Sequence, residues 1–522
     1  MSEFTDGPQS WVGAWSEKRA ALTPDRDGLV DATTGERFTY ADLDRRANRT
    51  ARLLEDRGIV DGERVAVVSR NRPAVVDLFF ATGKTGGVLA PLSHRLAPPE
   101  LAALLARVDP GLLVVEAHFL DDVQRGLEVA GATETEMLVV GMEKGGSDFD
   151  DGNVPAYDDA RPDDDSPVET ATLAPDHTHL LLHTGGSTGT PKETVITHRN
   201  VVWNSLNTIT AWGLRDDDVG PLAFPMFHTG GWNVITVPLW HMGGTVVIAR
   251  EFDPGQLLSV IESEGGSAFV AVPAVLRMLT DHGRWADTDL STLRLVKSGG
   301  GPCRQSVMEA WWDRGVDLSQ GYGLTECGPN NFAMPEGWPR EKADSIGRPA
   351  IHVDARVVED GDPVDQGAVG ELELRSPHAA TTYLDNPEES EGTFGSGWVS
   401  TGDLASVDED GYYSIEGRKK DLFVSGGENV YPAEVEDAVV AHPDITEAVV
   451  VPVPDEQWGQ AGKAVVEGDA ALTLSDLADF LDGRLAGYKH PKQLLVVEEL
   501  PTSGPSKIDR AAVEARFGAA GE

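Results

Sequence analysis

The chain has 522 residues, of which 40% are hydrophobic, and 43 Lys+Arg stand against 86 Asp+Glu for a formal net charge of −43. That length predicts at least two domains, the apolar fraction excludes a disordered chain, and the charge argues against nucleic acid, which needs a basic footprint. Two cysteines, Cys303 and Cys327, exclude a disulfide framework and read as small buried hydrophobes.

The chain opens on polar residues that include Glu3 and Asp6, unlike the basic and apolar regions of a signal peptide. No run approaches the roughly 18 apolar residues of a membrane span, so a cytoplasmic protein is expected. Leu43, Ala47, Ala51 and Leu54 fall on one face of a predicted helix. Arg64-Val65-Ala66-Val67-Val68 reads as a strand, residues 74–84 as a second helix ending at Gly86-Gly87, and Val88-Leu89-Ala90-Pro91-Leu92 as the next strand. This alternation implies α/β layers with a largely parallel sheet. The acidic, Gly- and Pro-punctuated stretch 147–165 reads as a surface connector.

Further strands are expected at 245–249 and 268–272, then a run of strands over 353–376 with turns at Glu359-Asp360-Gly361-Asp362 and Asp365-Gln366-Gly367. After Gly417 the pattern becomes a compact α+β unit. The acid excess is dispersed along the whole chain. It points to a halophilic source, where molar salt shortens the Debye length to about 3 Å and screens self-repulsion.

The strongest local signal is Leu180-Leu181-Leu182-His183-Thr184-Gly185-Gly186-Ser187-Thr188-Gly189-Thr190-Pro191-Lys192. An apolar strand runs into a glycine- and hydroxyl-rich loop ending in a lysine, which offers N–H groups, hydroxyls and a cation to polyphosphate oxygens. Pro191 before the lysine and Glu193 after it exclude a Walker A loop, and the glycine spacing excludes a dinucleotide fingerprint. Further on, Gln320-Gly321-Tyr322-Gly323-Leu324-Thr325-Glu326 puts an aromatic, a hydroxyl and a carboxylate within five residues, which suits a nucleotide–metal site and an ordinary turn nearly equally. Thr401-Gly402-Asp403 suits an Asx turn, and Gly417-Arg418-Lys419-Lys420-Asp421 a solvated face.

In combination these segments resemble the ordered motifs of the adenylate-forming superfamily, which includes acyl-CoA synthetases, firefly luciferase and adenylation domains. Ser425-Gly426-Gly427-Glu428-Asn429-Val430, Gly487-Tyr488-Lys489-His490-Pro491-Lys492 and Leu500-Pro501-Thr502-Ser503-Gly504-Pro505-Ser506-Lys507-Ile508 continue the series, so the resemblance spans residues 38–510. The departures are Gly185, Ser187 and Glu193 in the loop and Ser506 before the lysine; Glu193 is expected to add negative charge near the phosphates.

The resemblance implies a large N-terminal domain, 1–419, of layered sheets and helices with a small β-barrel-like part. A small mobile α+β domain, 420–522, would carry the catalytic lysine. It assigns Thr184, Gly185, Gly186, Ser187, Thr188, Gly189 and Lys192 to the ATP phosphates, Tyr322 to adenine with Gly321 and Gly323 beside it, and Thr325 to the phosphate. Glu326 would hold Mg²⁺, Asp403 both ribose hydroxyls, and Arg418 the ribose or phosphates. Lys420 would be the hinge, Gly426 and Gly427 would line the CoA tunnel, and Lys507, Glu326 and Thr184 would be catalytic.

Pro225-Met226-Phe227-His228-Thr229-Gly230-Gly231-Trp232 resembles the motif lining the substrate channel, which assigns His228 and Trp232 to the acid; a histidine cannot supply the anion that pairs with an amine, so amino acids are disfavoured. Gly299, Gly300 and Gly301 form another wall without side chains, which suits a medium or long acyl chain, although a tight turn explains them equally well.

The expected activity is therefore ATP-dependent formation of an acyl-adenylate from a fatty acid and acyl transfer to CoA. An aryl- or succinylbenzoate-type CoA ligase is the rival within the fold, a luciferase-like oxygenase would share every motif, and a catalytically idle nucleotide-binding regulator is the rival from another class. The expected partners are the acid, ATP and CoA, and the oligomeric state stays open with a homodimer among the outcomes.

Overall fold

The computed structural model describes residues 8–141, 154–184, 192–425, 428–455, 458–482, 484–502 and 508–518. Contacts divide the chain into two compact units, Met1–Asp354 with Leu374–Val399, and Ala355–Glu373 with Ser400–Glu522. This is the expected mixed α/β architecture, a large N-terminal unit and a small C-terminal one. Among the described residues no helix is long and apolar enough to cross a membrane.

In the large unit, α1 (Tyr40–Asp56) starts at a capping box. The Thr39 hydroxyl accepts from the Asp42 N–H at 3.1 Å and the Asp42 carboxylate accepts from the Thr39 N–H at 3.0 Å. Its face of Leu43, Ala47, Ala51 and Leu54 is buried as the spacing predicts. After β1 (Arg64–Val68), α2 (Pro73–Thr85) begins on a proline and stops at Gly86, whose φ of +77° few side chains tolerate.

The following strands are β2 (Val88–Leu92), β3 (Leu112–Glu116), β4 (Glu136–Val140), β5 (Thr178–Thr184) and β6 (Lys192–Thr197), and α3 (Pro98–Val108) connects β2 to β3. They form one sheet in the order β4-β3-β1-β2-β5-β6, parallel except for the β5–β6 hairpin. The parallel strands are almost wholly buried, as strands covered on both faces must be.

The predicted surface connector is partly core. Residues 142–153 lie outside the described ones, but Tyr157 is fully buried, and Arg161, also buried, reaches Asp77 at 3.1 Å. Asp77 also takes Arg46 at 2.7 Å, so a buried carboxylate pins the acidic stretch down. Acidity at residues 158–165 hid the two side chains that dock it.

Helix α4 (His198–Trp212) follows β6. Three parallel strands, β7 (Ala268–Ala271), β8 (Leu295–Ser298) and β9 (Leu318–Gln320), then form a separate sheet in that order. The carboxyl ends of β8 and β9 release the 299–301 glycines and the 321–326 segment side by side, and the Gly321 N–H donates to the Ser298 carbonyl at 2.8 Å. Crevices at such strand ends are where open α/β sheets bind ligands. Helix α5 (Pro387–Phe394) also belongs to this unit.

In the small unit, β10 (Val399–Val407) pairs antiparallel with β11 (Tyr413–Arg418). The Thr401 hydroxyl donates to the Leu372 carbonyl at 2.6 Å, which draws residues 400–418 to residues 355–373 and into this unit, ahead of the expected boundary at 419/420. Beyond, β12 (Ile445–Asp455) and β13 (Gly459–Gly468) form a long antiparallel pair, and β14 (Gln493–Val497) adds a parallel edge to β13. Val450, Ala464 and Val466 pack with Val435, Leu477 and Leu481 as this unit's core.

Candidate active site

Thr184 and Lys192 are opposite one another at the loop end of the β5–β6 hairpin. Gly185, Gly186, Ser187, Thr188 and Gly189, expected between them, lie outside the described residues, as do Gly426, Gly427 and Lys507. Lys192 and Glu193 point to opposite faces because successive strand residues alternate. Glu193 therefore does not add charge near the phosphates. Its side chain is buried, and its carboxylate takes Arg107 of α3 at 2.8 Å. Burial pushes the Glu193 carboxyl up, and Arg107 works against that.

On the other face the Lys192 ammonium pairs with Glu389 of α5 and lies 5.3 Å over the Tyr383 ring. The Tyr383 hydroxyl donates to Glu326 at 2.9 Å, and the Glu326 carbonyl accepts the Ala380 N–H at 2.8 Å. Burial first, and then the neighbouring Glu326 charge, push the Tyr383 phenol up, so it remains a donor. Tyr383 thus joins the loop lysine to the carboxylate expected to hold Mg²⁺.

Sequence reasoning missed Tyr383. Residues 382–384 lie along β6, with the Val195 N–H donating to the Thr382 carbonyl at 3.2 Å and the Leu384 N–H to the Glu193 carbonyl at 2.8 Å. Nothing local in Thr381-Thr382-Tyr383-Leu384 announces that pairing.

Tyr322 is half-buried, its ring edge-on to Phe332 at 5.8 Å and its carbonyl accepting the Asn331 N–H at 3.0 Å. Gly323 admits nothing larger, because a Cβ there would lie 2.3 Å from the Pro329 backbone. Thr325 is half-buried beside them. A single carboxylate, Glu326, fits a Mg²⁺ that arrives with phosphate oxygens and water as its other ligands, and no group of three or more candidate ligands occurs among the described residues.

The residues expected on the acyl side are different in kind. A Cβ at Gly299 or Gly301 would meet nothing within 4 Å, so this wall has open space in front of it. Gly300 has φ +83°, which makes its glycine a backbone requirement. His228 is exposed, its ring 4.5 Å from Phe227 and 6.1 Å from His183. Trp232 is not on a wall. It is fully buried, stacked on Phe79 at 4.9 Å, with its indole N–H donating to the Met226 carbonyl at 2.5 Å. Its motif position resembles that of a lining residue, but its bulk serves the core.

Lys297 lies on β8, just before the 299–301 glycines. It is buried, donates to the Ser319 hydroxyl at 2.6 Å, and burial brings its amine down to about 8. Cys303 and Cys327 are buried as expected.

In the small unit Asp403 and Arg418 face each other across β10 and β11, with Nε 2.6 Å from the buried Asp403 carboxylate. Asp403 is therefore a strand residue, and its N–H donates to the Thr401 hydroxyl at 3.1 Å. Lys419 pairs with Glu371 at 2.8 Å, and Lys420 is exposed. Thr502 and Ile508, either side of the segment that contains Lys507, pair antiparallel.

Residues 16–384 match the model of the AMP-binding enzyme family and residues 434–507 that of the AMP-binding enzyme C-terminal domain. The chain belongs to the AMP-binding enzyme family. It is 36% identical to a feruloyl-CoA synthase of Amycolatopsis sp over 97% of this chain and 99% of that one. Identity to the long-chain-fatty-acid–CoA ligase FadD13 of Mycobacterium tuberculosis is 31%, over 97% of this chain and 99% of that one. ATP-bound MatB from Rhodopseudomonas palustris superposes with a TM-score of 0.88 at 28% identity, covering 98% of this chain and 99% of that one. Within its family this protein is an AMP-forming acid–thiol ligase of the acyl-CoA synthetase kind.

Proposed function

We propose that the protein activates a hydrophobic carboxylic acid as its acyl-adenylate at the expense of ATP and then passes the acyl group to the thiol of CoA. The observation that carries this is the Lys192–Tyr383–Glu326 arrangement, which places an ammonium, a phenol donor and a carboxylate around one spot. A carboxylate attacking the α-phosphate brings two anions together, so positive charge must be in place before reaction. Lys192 and the residues at 184–192 supply it, and Tyr322 offers a face to adenine. Glu326, oriented by Tyr383, is suited to hold Mg²⁺, which when bound neutralises phosphate charge.

Asp403 suits the ribose hydroxyls, and Arg418 pairs with that carboxylate. Lys507 neutralises the α-phosphate in the first half-reaction, Lys420 is the pivot between half-reactions, and Gly426 and Gly427 belong to the CoA tunnel. Lys507→Ala should cost adenylation about 3–4 kcal/mol and spare thioester formation from pre-made acyl-adenylate.

The open wall at Gly299 and Gly301 supports a medium- or long-chain fatty acid. A second reading, an aryl-substituted acid, is favoured by the 36% identity to a feruloyl-CoA synthase. Hydroxamate trapping with ATP and Mg²⁺ across alkanoic, cinnamic and arylacetic acids tests both readings. Acid-dependent AMP and hydroxamate are expected, and the chain-length or ring preference decides between the classes. No acid-dependent AMP with any of them would sink the proposal.

A further inference from the structure

Lys192 has an anion close at hand. Its side chain is 9% exposed, and its ammonium pairs with the carboxylate of Glu389, whose own side chain is 36% exposed. Tyr383, the other group at this ammonium, offers a ring face and spends its hydroxyl on Glu326. Glu389 is therefore the counter-ion of Lys192.

The helix that carries Glu389 does not depend on that carboxylate. Asn386 caps α5 by accepting the Glu389 N–H at 3.4 Å, and Glu388 is a second acid in the first turn. Ser390 ties the same turn to the site segment, its hydroxyl donating to the Asn386 carbonyl at 2.6 Å and accepting the Tyr383 N–H at 2.9 Å. Glu389 contributes a charge aimed at Lys192 and little else.

We propose that Glu389 is a resident anion that holds Lys192 in the nucleotide-free protein, is displaced by the ATP polyphosphate, and so sets the affinity for ATP. This rests on the reading of Lys192 as a phosphate ligand. A nearly buried ammonium without a partner is costly, so the lysine keeps one anion until it meets another. Polyphosphate, with more charge than a carboxylate, wins the exchange. The binding free energy is lowered by what the pair was worth, and apparent affinity falls with the fraction of protein in which the lysine is free. At −43 overall, the protein meets an anionic ligand with a repulsive field, so local cations such as Lys192 must offset it.

The test is calorimetric titration of Mg²⁺-ATP, and separately of pyrophosphate, into the full chain and its variants. Glu389→Gln keeps the volume and the Asn386 cap. It should tighten ATP by about three- to ten-fold, the worth of one partly exposed ion pair, and lower the KM for ATP without moving the KM for the acid. Glu389→Ala serves if the glutamine form does not fold. Unchanged or weaker ATP binding in both would overturn the proposal. Lys192→Ala separates the two readings. If it binds ATP as tightly as the unaltered protein, the phosphate role of Lys192 fails and this inference with it. If it binds ATP weakly while Glu389→Gln gives no gain, only the exchange is wrong. In the Lys192→Ala background Glu389→Gln should add nothing; an undiminished gain there would mean that Glu389 acts through the general field, which also overturns the exchange.

Discussion

Two regions of the large unit are built on opposite principles. Around Lys192, Tyr383 and Glu326, side chains with definite charge and hydrogen-bonding capacity already hold one another. Around Gly299 and Gly301 the wall is made by side chains that are not there. The first region is suited to a ligand part common to every reaction of the family, the second to a part that varies. A polyphosphate is recognised by charge at fixed points, an alkyl or aryl group by the volume it can occupy.

The sharpest way to break this comparison is Glu326→Gln. It removes the carboxylate that Tyr383 orients but keeps the shape. Adenylation should fall by about 3 kcal/mol, roughly a hundred-fold or more, with every acid alike. Initial rates of AMP release across the acid panel check this. A variant that instead changes its preference among acids would show that the two regions are not separable.

Gly301→Trp attacks the other side. It fills open space without the strain that φ +83° would impose at Gly300. Each methylene it displaces is worth about 0.8 kcal/mol, roughly four-fold in kcat/KM, so the longest acids should lose most while the KM for ATP stays put. An unchanged profile would remove this wall from the acyl site. Tyr383→Phe is milder. It keeps the ring under Lys192 and deletes one hydrogen bond to a charged group, so adenylation should slow by about ten-fold. A rate equal to that of the unaltered protein would mean that Glu326 is oriented without it.

What the sequence made legible follows the same division. The strand at 64–68, the helical face from Leu43 to Leu54 and the parallel sheet were readable, because periodicity and burial are one signal. Lys192, Tyr322 and Glu326 could be singled out as candidates because their chemistry resides in their identity. Tyr383 was not, since it reaches Glu326 by pairing with β6, a tertiary event with no local trace. Glu193 was misread as a charge at the phosphates because the loop was taken as irregular up to that point. In fact β6 begins at Lys192 and turns the next side chain to Arg107. Trp232 was misread because a motif position does not say which way an indole points.

The smallest effect concerns a buried charged group on the strand that leads into the 299–301 glycines. Lys297 lies near Trp212 and donates to Ser319, and burial, the dominant influence, brings its amine down to about 8 from an ordinary 10.5. Between those values the unfolded chain binds more protons than the folded one, so stability rises with pH across that window. Below pH 8 both states are charged and the folded state bears the full desolvation cost. Lys297→Met, which keeps the stem and drops the ammonium, should therefore raise stability at pH 7 by about 1 kcal/mol, the desolvation gain less the lost hydrogen bond. The advantage should shrink above pH 8 and disappear beyond 10.5. Denaturant midpoints at pH 7, 9 and 10.5 measure it. Destabilisation at every pH would mean that the ammonium is better satisfied in the fold than its burial implies, and the acyl side would then share the paired character of the phosphate side.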